Sequence, residues 1–139
     1  MPGDNAATIG PGTPVLFPQD GPTNGVIVRT SSSTFLLPAI GTYLVLFQAS
    51  IDENFVTSGA QLQLRLTAVP SGSPVPIASS VAGRDTGTDQ VVGISIITTT
   101  APSILEVINP SGNATALTLT PIAGGTHSVS AHLVIIRIL

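Results

Sequence analysis

Residues 128–139 read Ser-Val-Ser-Ala-His-Leu-Val-Ile-Ile-Arg-Ile-Leu, and this closing stretch decides the fold class. It begins as an alternation of small or polar residues with apolar ones. It then becomes a nearly continuous aliphatic run that Arg137 interrupts once. β-Branched residues dominate and Gly and Pro are missing, which is typical of a strand. Alternation indicates one covered face and an unbroken apolar run indicates two, so we predict a strand that enters the middle of a β-structure.

Charged side chains are scarce in the whole sequence. They make up 8% of the 139 residues, whereas about 25% is usual in globular domains. A single domain of this size has much surface for its volume, and this chain has few charges with which to cover it. If part of that weakly charged surface is buried between subunits, less of it has to be in contact with water, so we expect an oligomer. No apolar run approaches the roughly 18 residues of a membrane span, and we predict none.

The sequence lacks the residues that several classes of function require. The net charge is −3 and the four basic residues are all arginines, which argues against nucleic acid as a partner. The chain has no cysteine, so disulfides, thiol catalysis and Cys-ligated zinc are excluded. It also lacks the Gly-x-Ser-x-Gly elbow of serine hydrolases. We therefore expect a protein that is not an enzyme and that uses no cofactor.

Short strands separated by Gly- and Pro-rich turns follow one another along most of the chain. Residues 1–24 are rich in Gly and Pro and are interpreted as an extended N-terminal arm, and residues 25–139 as the folded domain. Strand spacing of roughly 8–12 residues predicts an all-β sandwich or barrel. The predicted strands are 25–30, 34–37, 42–51, 60–68, 77–81, 90–100, 103–109, 115–120 and 128–139.

The order of these strands resembles the C1q/TNF-like jelly-roll heads. Thr-Phe-Leu-Leu-Pro at 34–38 precedes Gly-Thr-Tyr-Leu-Val at 41–45, Leu-Gln-Leu-Arg-Leu follows at 62–66, and an apolar strand ends the sequence. In that family a Gly-x-Tyr strand lies early and the last strand runs through the core of a trimer. Within it, the chain is most similar to the C-terminal heads of bacterial collagen-like surface glycoproteins of the exosporium type. The resemblance implies a jelly-roll sandwich, assembled as a homotrimer on the extracellular surface of a spore, cell or virion.

The trimer core is expected to be lined by the closing strand and by one face of the strand at 42–51. Arg137 would lie inside that core, where an unpaired guanidinium is very costly. Its candidate partners are the terminal carboxylate of its own chain, Glu106, or an acid of a neighbouring subunit. The predicted interface residues are Tyr43, Val45, Phe47, His132, Val134, Ile136, Arg137 and Ile138.

Two functions fit this architecture. The first is a structural trimeric head that drives trimerisation and caps a surface fibre. The second is a trimeric head, including one of a virion or tail-associated protein, that binds a glycan or a receptor through the loops 52–58, 70–76 and 83–89, because binding residues favour loops on a rigid scaffold. The candidate binding residues are Asp52, Glu53, Phe55, Arg84, Asp85 and Asp89. Phe55 is the one aromatic residue among them, and this favours the structural head.

Metal sites are not predicted. Asp85 and Asp89 could ligate calcium through oxygen, but their spacing matches no EF-hand loop. His127 and His132 are five residues apart, which puts them on opposite faces of a strand and separates them as ligands within one subunit.

Overall fold

The computed structural model describes residues 8–52, 59–85, 90–120, 124–127 and 131–139, and nearly all the regular secondary structure in this part of the chain is β-strand. One short 3-10 helix lies at Ala78–Ser80. The strands are β1 Thr8–Ile9, β2 Val28–Arg29, β3 Phe35–Leu37, β4 Gly41–Ser50, β5 Ala60–Ala68, β6 Val75–Pro76, β7 Ala82–Arg84, β8 Gln90–Thr99, β9 Ser103–Ile108, β10 Leu117–Thr118 and β11 Ala131–Arg137.

Two main antiparallel sheets form the sandwich. The three-stranded sheet has the order β11-β4-β8, so the long strand β4 is central and β11 and β8 are its two neighbours. The larger sheet has the order β2-β3-β9-β5-β6, with β7 also paired to β5. Strands β1 and β10 form a small additional pair. The predicted all-β class is confirmed.

The hydrophobic core fills the space between the two sheets. From β4, Tyr43, Val45 and Phe47 point inward and are at most 2% exposed. Leu62 and Leu64 of β5 point into the same core, as their alternation with polar residues predicts. The Tyr43 hydroxyl donates a hydrogen bond to the main-chain oxygen of residue 39 at 2.5 Å, so its polar end is satisfied inside the fold.

The described part of the N-terminal segment belongs to this core. Val15 and Phe17 are almost completely buried, although they lie within the predicted arm. Buried Asn109 holds the segment in place, because its side-chain amide donates a hydrogen bond to the main-chain oxygen of Ile9 at 2.9 Å. Its main chain also exchanges hydrogen bonds with Gly12, at 2.7 Å, and Thr13, at 3.0 Å. Residues 8–17 therefore pack as part of the folded domain, although they precede the domain boundary predicted at residue 24.

The prediction of a strand at 77–81 is wrong, because Ala78–Ser80 forms the 3-10 helix. The hydroxyl of Ser80 accepts a hydrogen bond from the Leu64 main-chain nitrogen at 2.8 Å. It also donates one to the Ile77 main-chain oxygen at 2.7 Å, which tightens the turn. Such local side-chain bonds compete with extended structure, and here they stop the segment from forming a strand.

Candidate functional site: the outer face of the three-stranded sheet

The three-stranded sheet turns an apolar surface away from the core. Its register aligns residues in rows across the strands β11, β4 and β8. The central rows are Val134–Leu46–Ile94 and Ile136–Leu44–Ile96, and His132–Gln48–Val92 forms the row beside them. We call these nine residues the apolar outer face.

The exposure of this face is unusual for a soluble protomer. Ile94 is 68% exposed and Ile96 is 64% exposed, and both stand on β8 in strict alternation with buried residues. Val134 and Ile136 on β11 are each 47% exposed. The face has no acidic or lysine or arginine side chain in its three rows. A contiguous aliphatic surface of this kind marks an interaction site, because water contact with it is unfavourable.

Three of the predicted interface residues lie on the other side of this sheet. Tyr43, Val45 and Phe47 were expected at the trimer core, but they are buried in the protomer's own core. The physical reason is that β4 carries large apolar residues on both faces, and the aromatic side chains on one of them fill the space between the sheets. The face of β4 that points outward has Leu44 and Leu46, which are half-buried by their neighbours along the sheet.

The closing strand provides the remaining predicted residues. His132, Val134 and Ile136 lie on the outer face of β11, and Ile138 follows just after the strand at 45% exposure. Within the protomer only one face of β11 is covered, namely the face on which Leu133 and Ile135 pack against the core. The expected cover on both faces therefore requires a second molecule.

Arg137 is exposed and finds its acceptors within its own chain. Its Nε donates to an oxygen of Leu139, whose terminal carboxylate is one of the predicted partners, and its Nη2 donates to the main-chain oxygen of Ile40, each at 3.1 Å. Glu106, one of the predicted partners, instead pairs with Arg65 at 2.7 Å. Arg137 is the last residue of β11 and pairs with Tyr43, on the face opposite to Val134 and Ile136, and its side chain remains in contact with solvent.

His132 is the titratable group of the apolar outer face. Its Nδ1 lies 2.9 Å from the side-chain oxygen of Gln48, its neighbour in the same row. Partial burial lowers the pKa of the imidazole below its ordinary value of 6.5, because burial disfavours the charged form. A neutral His132 is compatible with an apolar contact, and a charged one is not.

We expect any assembly through this face to weaken in acid. Above pH 6.5 His132 is neutral in both the folded and the unfolded chain, and its contribution to stability is fully present. As the pH falls from 6.5 through the lowered pKa, the unfolded chain takes up the proton more readily than the folded protomer, and that stability is lost. Assembly weakens as well, because a contact through this face would bury the charged imidazole. Sedimentation equilibrium at pH 7.5 and pH 5.0 measures the loss, and the neutral variant His132→Gln serves as the control. Equal pH dependence in wild type and His132→Gln would assign the effect to other groups.

The loop residues predicted to bind ligand are only partly described. Glu53, Phe55 and Asp89 lie outside the described residues. Asp52 is half-buried, Asp85 is exposed, and Arg84 ends β7 with its guanidinium nitrogens buried. The loop at 70–76 is exposed throughout. Among the described ranges no three His or acidic residues come together as a metal site would require.

A groove of about 910 Å³ runs beside β11. One wall is formed by β11 itself, and the other by the segment 19–29, in which Val26 and Val28 are each 46% exposed. Phe17 and Phe35 also line it, in contact at a ring-centroid distance of 5.9 Å. Sequence reasoning did not find this groove, because it depends on how residues far apart in the chain pack together.

Within the described ranges, no helix combines the length and the hydropathy needed to cross a bilayer. No protein-family model matches the sequence, and no match was found among curated proteins. Among solved structures the chain is similar to the globular domain of zebrafish complement 1qA protein. The TM-score is 0.55 at 16% sequence identity, over 96% of this chain and 88% of that one. At this identity the likeness concerns the fold, and the protein has the C1q-like all-β fold.

Proposed function

We propose that the protein is a homotrimeric structural head, in which each protomer buries its apolar outer face against a neighbour. The observation that supports this most directly is the pair of aliphatic rows across β11, β4 and β8. Ile94 and Ile96 are mostly exposed in the single protomer, and only a partner can remove them from water. The surface is aliphatic rather than aromatic or charged, which suits a permanent interface between subunits.

Threefold symmetry places a further demand on the protomer. Subunits in a ring meet through two different surfaces of each copy, because the contact is head to tail. The apolar outer face provides one surface. The groove beside β11 provides an adjacent second one, since Val26, Val28 and Val134 are all exposed along it. The wall at 19–29 is therefore proposed to contact the β8 side of the neighbouring copy.

The experiment that tests this assembly is sedimentation equilibrium of the wild-type protein. The expected mass is three times the protomer mass of 14.0 kDa at micromolar concentration and neutral pH. A trimer is expected rather than a dimer because the fold likeness is to a C1q-type domain. A monomer under these conditions would contradict the proposed function, and a dimer would contradict the threefold arrangement.

We place this head at the end of a surface appendage outside the cell, as in the exosporium-type glycoproteins whose strand order it resembles. In that setting it drives trimerisation and caps the fibre. The scarcity of charge supports a permanently assembled particle, because separate protomers would expose the aliphatic rows. Expression behind a collagen-like Gly-x-y stalk, followed by circular dichroism of the stalk, tests the role. The head should raise the melting temperature of the stalk, and an unchanged melting temperature would contradict it.

A recognition role is the second candidate, and one observation favours it. The described loop at 70–76, one of the three predicted binding loops, is exposed throughout. In a trimer each copy would present such a loop on a rigid scaffold, where a glycan or receptor can reach it.

A further inference from the structure

The sequence contains one Asn-Gly pair, Asn24-Gly25, and both residues line the groove beside β11. The pair lies between Thr23 and Val26 in the segment that precedes β2, and all four of these residues are exposed. An asparagine followed by glycine is prone to lose its side-chain amide by ring closure, because glycine has no side chain to hinder attack by its own main-chain nitrogen. The rate of that reaction depends on how the backbone presents the side-chain amide.

The turn holds the side chain of Asn24 folded back along the backbone. The Val26 main-chain nitrogen donates a hydrogen bond to Asn24 Oδ1 at 3.2 Å, which closes a ring around the Gly25 peptide. The Gly25 main-chain nitrogen donates to the hydroxyl oxygen of Thr23 at 3.0 Å. Gly25 has a φ of +81°, and no atom lies within 4 Å of a Cβ built there. No neighbouring segment therefore crowds this peptide.

Both hydrogen bonds suit one reaction, the attack of the Gly25 nitrogen on the side-chain amide carbon of Asn24. The nitrogen must lose its proton, and the Thr23 hydroxyl oxygen already accepts that proton in a hydrogen bond and can pass it to water. Negative charge develops on Asn24 Oδ1 during the attack, and the Val26 N–H already points at this oxygen. The new N–C bond closes a cyclic imide, the bond from the carbon to Nδ2 breaks, and Nδ2 takes up a proton and leaves as ammonia. Water then opens the imide at either carbonyl, which gives aspartate or isoaspartate.

The other described candidates for this reaction each lack one of its requirements. Asn109 is buried and precedes a proline, which has no main-chain N–H to attack with. Asn113 is followed by an alanine, and its own Nδ2, the leaving group, donates to Asn109 Oδ1 at 2.7 Å. Asp20 precedes Gly21, but its hydrogen bond with Arg29 holds the pKa of the carboxyl below its ordinary value. It is therefore ionised at neutral pH, and a carboxylate resists attack by a nucleophile.

We propose that Asn24 is a self-modification site, which deamidates through the cyclic imide in the free protomer and is protected in the assembled trimer. The protection rests on the proposed function, because there the neighbouring copy covers the wall at 19–29 and restrains the turn. The product places a new carboxylate on a wall that holds exposed Val26 and Val28, where burial of a charge opposes assembly. Protomers that remain unassembled therefore lose their ability to assemble with time.

The chemistry is tested by incubating the Ile94→Arg variant, designed to be monomeric, at mildly alkaline pH and mapping its peptides by mass spectrometry. Asn24 should be converted to a mixture of aspartate and isoaspartate, while Asn113 in the same sample stays intact. Thr23→Val keeps the shape of the side chain without its hydroxyl and should slow the conversion at least about fivefold, and Thr23→Ser should restore the rate. Aspartate without isoaspartate would show direct hydrolysis and overturn the imide route. An intact Asn24, at a time when a synthetic peptide of residues 19–29 is largely converted, would overturn the site.

Two comparisons separate the modification from the trimer. In the wild-type protein Asn24 should convert at least about tenfold more slowly than in Ile94→Arg, because conversion then waits for dissociation. Asn24→Asp carries the product's charge and should lower the association constant in sedimentation equilibrium at least about tenfold. Asn24→Gln keeps a neutral amide on a longer side chain that does not close this ring, and it should assemble like wild type.

The outcomes that contradict each part of the proposal differ. Equal conversion rates in Ile94→Arg and in a trimeric wild type would overturn the protection. Unchanged assembly of Asn24→Asp would overturn the effect of the new charge. A wild type that is monomeric and still converts at Asn24 would contradict the proposed function and support the modification site, so the two proposals can fail separately.

Discussion

Replacement of Ile94 by arginine is expected to convert the trimer into folded monomers. Ile94 is 68% exposed in the protomer, so the new side chain has room there and the fold should be preserved. In the trimer the same position on β8 would hold a charge in each subunit against the wall at 19–29 of a neighbour, where Val26 and Val28 are exposed. Burial of an unpaired charge is costly enough to reduce the association constant at least about 100-fold, which corresponds to ~3 kcal/mol. Sedimentation equilibrium measures the change in mass, and circular dichroism confirms that the strands remain.

Val75→Arg is the matched control for this experiment. Val75 is 60% exposed, and it lies on β6 in the other sheet, away from the apolar outer face. The substitution is chemically similar and should leave the trimer intact. A trimeric Ile94→Arg would show that the apolar outer face is not the interface. Dissociation by both variants would point to a general effect of added charge.

Alanine at Gly93 is expected to destabilise the fold strongly. Gly93 pairs with Phe47 across β8 and β4, and the Phe47 ring occupies the space that a Cβ at Gly93 would need. Because Phe47 is only 2% exposed, its ring cannot move aside without disturbing the core. Overpacking and a displaced aromatic ring together should lower the free energy of unfolding by about 3 kcal/mol.

Gly112→Ala provides the comparison for this substitution. No atom lies within 4 Å of a Cβ built at Gly112, which stands in the turn after β9. Its free energy of unfolding should stay within about 0.5 kcal/mol of wild type. Chemical denaturation at one fixed protein concentration measures both variants, since assembly contributes to apparent stability. Similar small effects for both would mean that the core accommodates the methyl group at Gly93.

The periodicity of the sequence was sufficient to predict the main strands and their turns. Alternation in β4 and β5 correctly grouped Tyr43 with Val45 and Phe47, and Leu62 with Leu64. Side chains two residues apart must share a face of a strand, and this constraint is purely local. The same reasoning failed at 77–81, because the Ser80 hydroxyl takes part in hydrogen bonds that residue spacing does not reveal.

Only the tertiary structure decided which face of β4 and β11 points outward. Large apolar residues occur on both faces of each strand, so their patterns do not tell the protomer core from a partner surface. The choice depends on which side chains fill the space between the two sheets, and Phe47 and Tyr43 do so while Leu46 and Leu44 do not. Packing volume is a property of the assembled sandwich rather than of any one strand.

The N-terminal segment and Arg84 required the same kind of information. Frequent Pro and Gly predicted an arm, because proline cannot donate to a ladder. Val15 and Phe17 are nevertheless buried, since Asn109, about a hundred residues away, supplies hydrogen bonds to the same segment. The sequence by itself determined the all-β class, the oligomer prediction and the positions of most strands. The buried state of Arg84 and the orientation of the aliphatic rows follow from pairings between distant residues, and those exist only once the chain has folded.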